Sequence, residues 1–118
     1  MKYEIRYNTA RYQTASFHGA ELLASYNELK GVLGKPSWTD SCEEKTTCEW
    51  SMEYVETEGE TIKISPFTVY DYREHRVWDN DEKLHWHIGG TNAENTLIVR
   101  DYIKKLIDEK KNVEKIFA

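Results

Sequence analysis

The sequence predicts an α+β fold, in which two helices pack on one face of an antiparallel sheet to form a two-layer sandwich. Segments with alternating apolar residues are separated by turn residues, and two helical repeats each follow a capping motif. The resulting element order, β-β-α-β-β-β-α, is typical of this fold class. The length of 118 residues fits a single domain spanning 1–118.

Two strands are predicted near the N-terminus. Apolar and charged residues alternate over Met1–Tyr7, which is the pattern of a strand with one apolar face. The segment Tyr12–Leu23 is rich in residues that favour strands, and Gly19 interrupts it. We therefore predict a second strand that bends near Gly19.

The first helix has clear signals at both ends. Ser25 and Glu28 have the spacing of a capping box, and apolar residues then repeat on one side of the segment Tyr26–Leu33. Gly34 favours a left-handed stop, and Pro36 prevents the helix from resuming. A short helix over Tyr26–Leu33 follows.

The middle of the chain predicts a loop and a hairpin. Ser37–Thr46 is polar and rich in turn residues, which indicates an exposed loop. From Thr47 to Tyr54 the alternation is strict and predicts a half-buried strand. Glu56–Glu60 is interpreted as the connection of a hairpin.

In the second strand of this hairpin, the apolar residues change from even-numbered to odd-numbered positions. Ile62 and Ile64 alternate with polar residues, whereas Phe67 and Val69 continue the alternation on the opposite parity. A bulge near Ser65–Pro66 would explain the change.

The C-terminal part predicts a strand followed by a long helix. After the acidic loop Asp79–Glu82, Leu84–Ile88 is a short strand that Gly89 and Gly90 end. Thr91–Glu94 has the spacing of a second capping box, so the last helix starts there and continues to about Lys111.

Composition excludes several functional classes. Sixteen basic and twenty-one acidic residues give a net charge of −5, which argues against a broad nucleic-acid-binding surface. No apolar run reaches the roughly 18 residues of a membrane span, and the N-terminus lacks the apolar region of a secretion signal. We therefore expect no membrane association and a cytoplasmic location, with Cys42 and Cys48 reduced.

The turn after the predicted strand Leu84–Ile88 is the first candidate site. A strand that passes through two glycines into a capped helix can present free backbone N–H groups to an anion or phosphate. The alternative is a tight turn that binds nothing. Adjacent aromatic rings and a guanidinium group suit stacking on a nucleotide base or anchoring of a protein partner. The predicted ligand-binding residues are Trp86, Gly89, Gly90, Thr91, Asn92, Tyr70 and Arg73.

A metal site is a weaker alternative. Alternation places His85 and His87 on one face of a strand, and His75 or Asp71 would supply further ligands if the preceding segment pairs alongside. The simpler interpretation is two hydrogen-bonded histidines.

Catalysis has less support in the sequence. There is no Gly-x-Ser-x-Gly motif, and the acidic neighbours of Cys42 would raise the pKa of its thiol. We expect no cofactor and favour a protein that is not an enzyme.

Four segments resemble a group of small tailed-phage proteins that share A-S-Y-x-x-L, G-x-P, [IV]-Y-D-[YW]-K and W-H-I-G-G motifs. In this chain they are Ala24–Leu29, Leu33–Pro36, Thr68–Arg73 and Trp86–Gly90. Arg73 stands where the group more often has lysine, which keeps the charge and changes its hydrogen-bond geometry. The resemblance implies a phage origin and, by analogy, an accessory role against host defence.

Two functional hypotheses follow. The first is a non-enzymatic phage protein that captures a small anionic or nucleotide-like ligand at the glycine turn. The second is an inhibitor of a host defence protein or nucleic-acid enzyme, acting through an acidic or aromatic face, for which Asp79–Glu82 is one candidate. Exposed aromatic residues would also suit a homodimer.

Overall fold

The computed structural model describes residues 1–8, 16–39, 46–72 and 79–117. They form one antiparallel sheet and two helices, which confirms the predicted α+β fold. The strands are β1 (Lys2–Tyr7), β2 (Ser16–Ala24), β3 (Trp38–Thr39), β4 (Thr46–Glu58), β5 (Thr61–Tyr72) and β6 (Leu84–Gly90), and the helices are α1 (Tyr26–Leu33) and α2 (Ala93–Phe117).

The strands are ordered β1-β4-β5-β6-β2 across the sheet, and the short β3 pairs with β4 beyond the end of β1. The two N-terminal strands therefore lie at opposite edges. Every pairing is antiparallel. The sequence predicts the strands but gives no indication of this order, because the strands that pair at the edges are far apart in the chain.

One face of the sheet packs against both helices, as predicted. Alternate residues of the strands point to this helix face and form a continuous core with the apolar sides of α1 and α2. The largest fully buried side chains in it are Trp50, Trp86, Phe67, Leu29, Met52, Ile88, Ile103, Val69 and Val99.

Two core tryptophans hold the ends of α1. The indole Nε1 of Trp86 donates to the Ala24 carbonyl oxygen at 2.9 Å, immediately before the helix. The Nε1 of Trp50 donates to the Gly34 carbonyl oxygen, also at 2.9 Å, immediately after it. The Ser25 and Glu28 capping box is present, which confirms the predicted start of the helix.

The predicted bulge at Ser65–Pro66 is wrong. The register between β4 and β5 runs without interruption from the Glu49–Tyr70 pair to the Glu58–Thr61 pair, and it shifts only between Thr46 and Glu49. The change of parity therefore reflects the two faces of one continuous strand. Phe67 and Val69 lie on the helix face, whereas Ile62 and Ile64 lie on the opposite face, where Ile62 is 61% exposed. The hairpin turn is also tighter than predicted and consists of residues 59–60 alone.

The predicted bend at Gly19 is confirmed. The pairing of β2 with β6 shifts its register between Phe17 and Glu21, and Gly19 has a φ of +99°. This φ lies in the region that glycine tolerates and other residues rarely adopt. Residues 12–15 of the predicted strand lie outside the described residues.

Two other boundaries differ from the sequence predictions. The predicted loop Ser37–Thr46 begins with β3, whose backbone pairs with Cys48 and Glu49, and residues 40–45 lie outside the described part of the chain. Helix α2 ends at Phe117 instead of near Lys111. Neither helix in the described residues is long and apolar enough to cross a membrane.

Candidate functional site

The glycine turn does not form the open corner that the sequence predicts. Gly89 and Gly90 are buried residues within β6, where they pair with β2 on one side and β5 on the other. A Cβ atom added at Gly90 would lie 2.7 Å from Cγ2 of Thr96 in α2. The small size of this glycine is therefore used for close packing of sheet and helix.

Thr91 and Asn92 form the cap of α2. The Asn92 Oδ1 accepts from the Asn95 backbone N–H at 2.8 Å, and the Thr91 Oγ1 accepts from the Asn95 Nδ2 at 3.0 Å. Asn92 is therefore the N-cap, so the predicted capping box of Thr91 and Glu94 is wrong. The preceding strand extends through Gly90, and the helix starts one residue later than that box requires.

The remaining predicted ligand-binding residues do not meet at this turn. Trp86 is 0% exposed within the core, so its ring has no free surface on which a ligand could stack. Tyr70 lies on the opposite face of the sheet. Arg73 lies outside the described residues.

The face of the sheet opposite the helices carries a different group of polar and aromatic residues. We call it the open face. Residues that pair across β2, β6, β5 and β4 align their side chains on it. This cross-strand row consists of Glu21, His87, Tyr70 and Glu49.

His87 is the centre of the cross-strand row. Its Nε2 lies 3.2 Å from Oε1 of Glu21. The ring of Phe17 stacks on the imidazole with centroids 4.1 Å apart, and the ring of Tyr70 meets the imidazole edge-on at 5.5 Å. These contacts fix the imidazole in one orientation next to a carboxylate.

Glu49 is the member of the row on β4, and on its other side its partner in the sheet is Trp38 of β3. The Glu49 side chain is half-buried, and burial raises the pKa of its carboxyl group. Within the described residues, no hydrogen bond or ion pair reaches its carboxylate. A half-buried carboxylate of this kind is costly unless a donor or cation satisfies it.

Apolar side chains surround the row. Phe17 is 43% and Leu23 is 58% exposed, and Ile62 and Ile64 extend the apolar surface along β5. Exposed apolar residues next to a polar row are typical of a surface that binds another molecule.

The histidines of the predicted metal site are only partly brought together. His85 and His87 share the open face, as alternation predicts, and both lie near Glu21. Asp71 is on the helix face, where it is buried and accepts from the Cys48 backbone N–H at 2.8 Å. His75 lies outside the described residues. Among the residues described, no group of three or more His, Cys, Asp or Glu side chains could hold a metal ion.

The acidic run that precedes β6 forms a local turn. The Asp79 carboxylate accepts from the Asp81 backbone N–H at 2.8 Å, and the Asp81 carboxylate accepts from the Asn27 Nδ2 at 2.8 Å. These hydrogen bonds join the run to α1. The carboxylates therefore have structural partners, as expected for a solvated turn.

Cys48 is a free, buried cysteine. Burial and, to a lesser extent, the nearby carboxylates of Asp71 and Glu49 together raise the pKa of its thiol to about 12. A thiol with so high a pKa is a poor nucleophile at neutral pH. Cys42 lies outside the described residues.

Comparison with known proteins gives no match to a protein-family model, a curated protein or a solved structure. The resemblance to small tailed-phage proteins stays a prediction.

The sequence interpretation missed Glu21, Glu49 and Phe17. Each is an ordinary strand residue when the sequence is considered alone. They become neighbours of His87 and Tyr70 only through the pairing of β2 with β6 and of β4 with β5. No local signal specifies these long-range partners.

Proposed function

We propose that the protein is a non-enzymatic binding protein that uses the open face to hold a basic segment of a partner protein. The observation that carries the proposal is the half-buried carboxylate of Glu49, which no described residue neutralises and whose cross-strand partner is Tyr70. A carboxylate beside an aromatic ring is a favourable environment for the guanidinium of arginine or the ammonium of lysine.

The length of the cross-strand row favours binding of an extended segment. It crosses four strands, which is about 14 Å at the usual strand spacing of about 4.8 Å. Glu21 at the other end provides a second carboxylate, and Phe17 and Leu23 provide apolar area beside it. Aromatic and apolar anchors surrounded by charges are the usual components of protein–protein hot spots.

The charge of the chain supports a basic protein partner over nucleic acid. The net charge is −5, and the row ends in two carboxylates. The negative net charge and these two carboxylates would repel a phosphate backbone. A small anionic ligand is also less favoured on this face, for the same reason.

The resemblance to tailed-phage proteins supports a narrower form of the proposal. In that form the partner is a host defence protein or a nucleic-acid enzyme, whose basic substrate-binding surface would fit an acidic and aromatic face. This form corresponds to the second hypothesis from the sequence.

Affinity capture from bacterial lysate followed by native mass spectrometry tests the proposal. Three tagged chains are compared: wild type, Glu49→Lys, and Asp101→Lys, which makes the same charge change on the exposed side of α2. We expect wild type and Asp101→Lys to retain the same host polypeptide. Glu49→Lys should bind it at least about tenfold more weakly, because it places like charges together.

Far-UV circular dichroism of each variant separates loss of binding from loss of folding. Equal retention by Glu49→Lys and wild type would contradict the proposal. Recovery of the chain with an added mass of only a few hundred daltons would favour capture of a small ligand in its place.

A further inference from the structure

Strand β1 lies at one edge of the sheet, and no strand among the described residues pairs with its outer side. All of its residues except Ile5 are exposed, and they pair with β4 in one uninterrupted register. The opposite edge, β2, is interrupted by the register shift near Gly19. β1 is therefore the more regular of the two edges, and a regular edge is a template on which a further strand can pair.

The backbone groups of β1 alternate between its two sides. The Asn8 N–H donates to a carbonyl oxygen of β4 at 3.1 Å, which continues the ladder between these strands. Because alternate residues of an antiparallel strand bond the same neighbour, the N–H and C=O groups of Tyr3, Ile5 and Tyr7 point away from β4. The Tyr3 carbonyl oxygen is consistent with this direction, since it accepts from the Tyr102 hydroxyl at 3.1 Å. Three residues therefore direct donors and acceptors outward along the edge.

A second copy of β1 matches this edge in one antiparallel register. A two-fold axis perpendicular to the sheet keeps every side chain on its own face, so even-numbered residues can oppose only even-numbered residues. When Ile5 opposes Ile5 of the second copy, Tyr3 opposes Tyr7 and Glu4 opposes Arg6, each twice. A slip of two residues would oppose either Glu4 with Glu4 or Arg6 with Arg6, and like charges directly opposite are destabilising. The charges therefore favour the register centred on Ile5.

Arg6 is able to pair with two carboxylates at once. Its Nε donates to Oε2 of the buried Glu53 at 3.1 Å, while 47% of the Arg6 side chain is exposed. A guanidinium has five N–H donors, and this hydrogen bond uses one of them. In the register centred on Ile5, Glu4 of the second copy approaches Arg6 from the outer side. The two residues form a non-hydrogen-bonded pair, in which side chains lie close together.

We propose that the protein forms a homodimer in which two copies of β1 pair antiparallel, centred on Ile5, and join both sheets into one. The outward backbone groups of Tyr3, Ile5 and Tyr7 bond those of the second copy, and the ion pair of Glu4 with Arg6 forms twice. The two-fold axis places both open faces on the same side of the joined sheet. The dimer is independent of the proposed protein-binding function, because the cross-strand row contains no residue of β1.

Sedimentation velocity of the full chain over a series of concentrations tests the dimer. We expect a reversible equilibrium between monomer and dimer. Ile5→Pro removes an N–H that points away from β4, so the fold keeps its own ladder while the dimer loses its central hydrogen bonds. Ile5→Ala is the matched control, because it shortens the side chain and keeps the N–H. Ile5→Pro should remain monomeric at concentrations where wild type and Ile5→Ala are mostly dimers, with far-UV circular dichroism verifying the fold of each variant.

Glu4→Lys tests the register through charge. This variant opposes a lysine with Arg6 at two places, so the Kd of the dimer should rise at least about tenfold. Glu60→Lys makes the same charge change at the exposed tip of the hairpin and should leave the Kd unchanged.

Amide hydrogen exchange of the wild type, measured by NMR at a low and a high protein concentration, gives a third readout. The Ile5 amide should exchange more slowly at high concentration, whereas the Glu4 amide bonds β4 in monomer and dimer alike and should change less. A chain that stays monomeric at every concentration would overturn the proposal. A dimer that persists in both Ile5→Pro and Glu4→Lys would also overturn it, because such a dimer uses another surface.

Discussion

The indole rings of Trp50 and Trp86 meet edge to face in the core, with centroids 5.5 Å apart and planes inclined at 69°. Their N–H groups point to opposite ends of α1, one to the carbonyl of Gly34 and the other to that of Ala24. One aromatic pair therefore fixes both the position of the helix on the sheet and its two boundaries. Two otherwise unsatisfied indole donors are bonded by the same arrangement.

Replacement of either tryptophan should destabilise the protein. We expect Trp86→Phe and Trp50→Phe each to lower the free energy of unfolding by roughly 2–4 kcal/mol, through a lost hydrogen bond and a cavity. Urea unfolding measures the change. Tyr7→Phe is the control, because it removes an exposed hydrogen bond to the Lys35 carbonyl and should cost less than about 1 kcal/mol. A Trp86→Phe protein as stable as the control would contradict the assigned role.

Gly90→Ala should destabilise the fold by steric overlap with α2. We expect a loss of roughly 1–3 kcal/mol, because the new Cβ would meet the Thr96 Cγ2 in a packed region. Thr96→Ser removes that methyl group and keeps the hydroxyl that donates to the Ala93 carbonyl oxygen. The double variant Gly90→Ala/Thr96→Ser should therefore recover most of the loss. Thermal unfolding of the four proteins forms a double-mutant cycle, and strict additivity would argue against this contact.

Glu28 should make stability depend on pH in the acid range. Burial alone would raise the pKa of its carboxyl group, but hydrogen bonds from Lys111, Lys83 and the Ser25 N–H outweigh burial and lower the pKa to about 2. The ordinary value is 4.5, so the stabilisation is complete above about pH 4.5 and is lost as the pH falls toward 2. Because both lysines are half-exposed, we expect a contribution of about 1 kcal/mol.

Urea unfolding between pH 7 and pH 2 measures this dependence. Glu28→Gln should show a flatter profile between pH 4.5 and pH 2 than wild type. Glu60→Gln at the tip of the hairpin is an exposed control and should follow the wild-type profile. Identical profiles for wild type and Glu28→Gln would exclude Glu28 as the source.

Local signals in the sequence predict the elements of this fold well. The Ser25 and Glu28 capping box gives the first residue of α1, and Gly19 gives the bend in β2. These features depend on neighbours within a few residues, which the sequence displays directly. The predicted fold class follows from them.

Long-range pairing explains what the sequence could not predict. A pair of glycines is typical of a turn, yet Gly89 and Gly90 pair with strands on both sides and lie within the sheet. Tryptophan is common in binding sites, yet the alternation of side chains along β6 places Trp86 in the core. The cross-strand row likewise exists only because Glu21 and Glu49 pair with distant strands. A single sequence indicates which strand residues share a face of the sheet, but it does not indicate which strands pair with each other.

The placement of β1 and β2 at opposite edges has a consequence for the order in which the chain folds. Each of these strands waits for a partner that is synthesised much later, since β1 pairs with β4 and β2 pairs with β6. β4 ends at Glu58, so β1 can pair with it when about half of the chain has been synthesised. β2 has to wait until β6 ends at Gly90, when about three quarters of the chain is available. The sheet edge that β2 forms is therefore the last one that the emerging chain can complete.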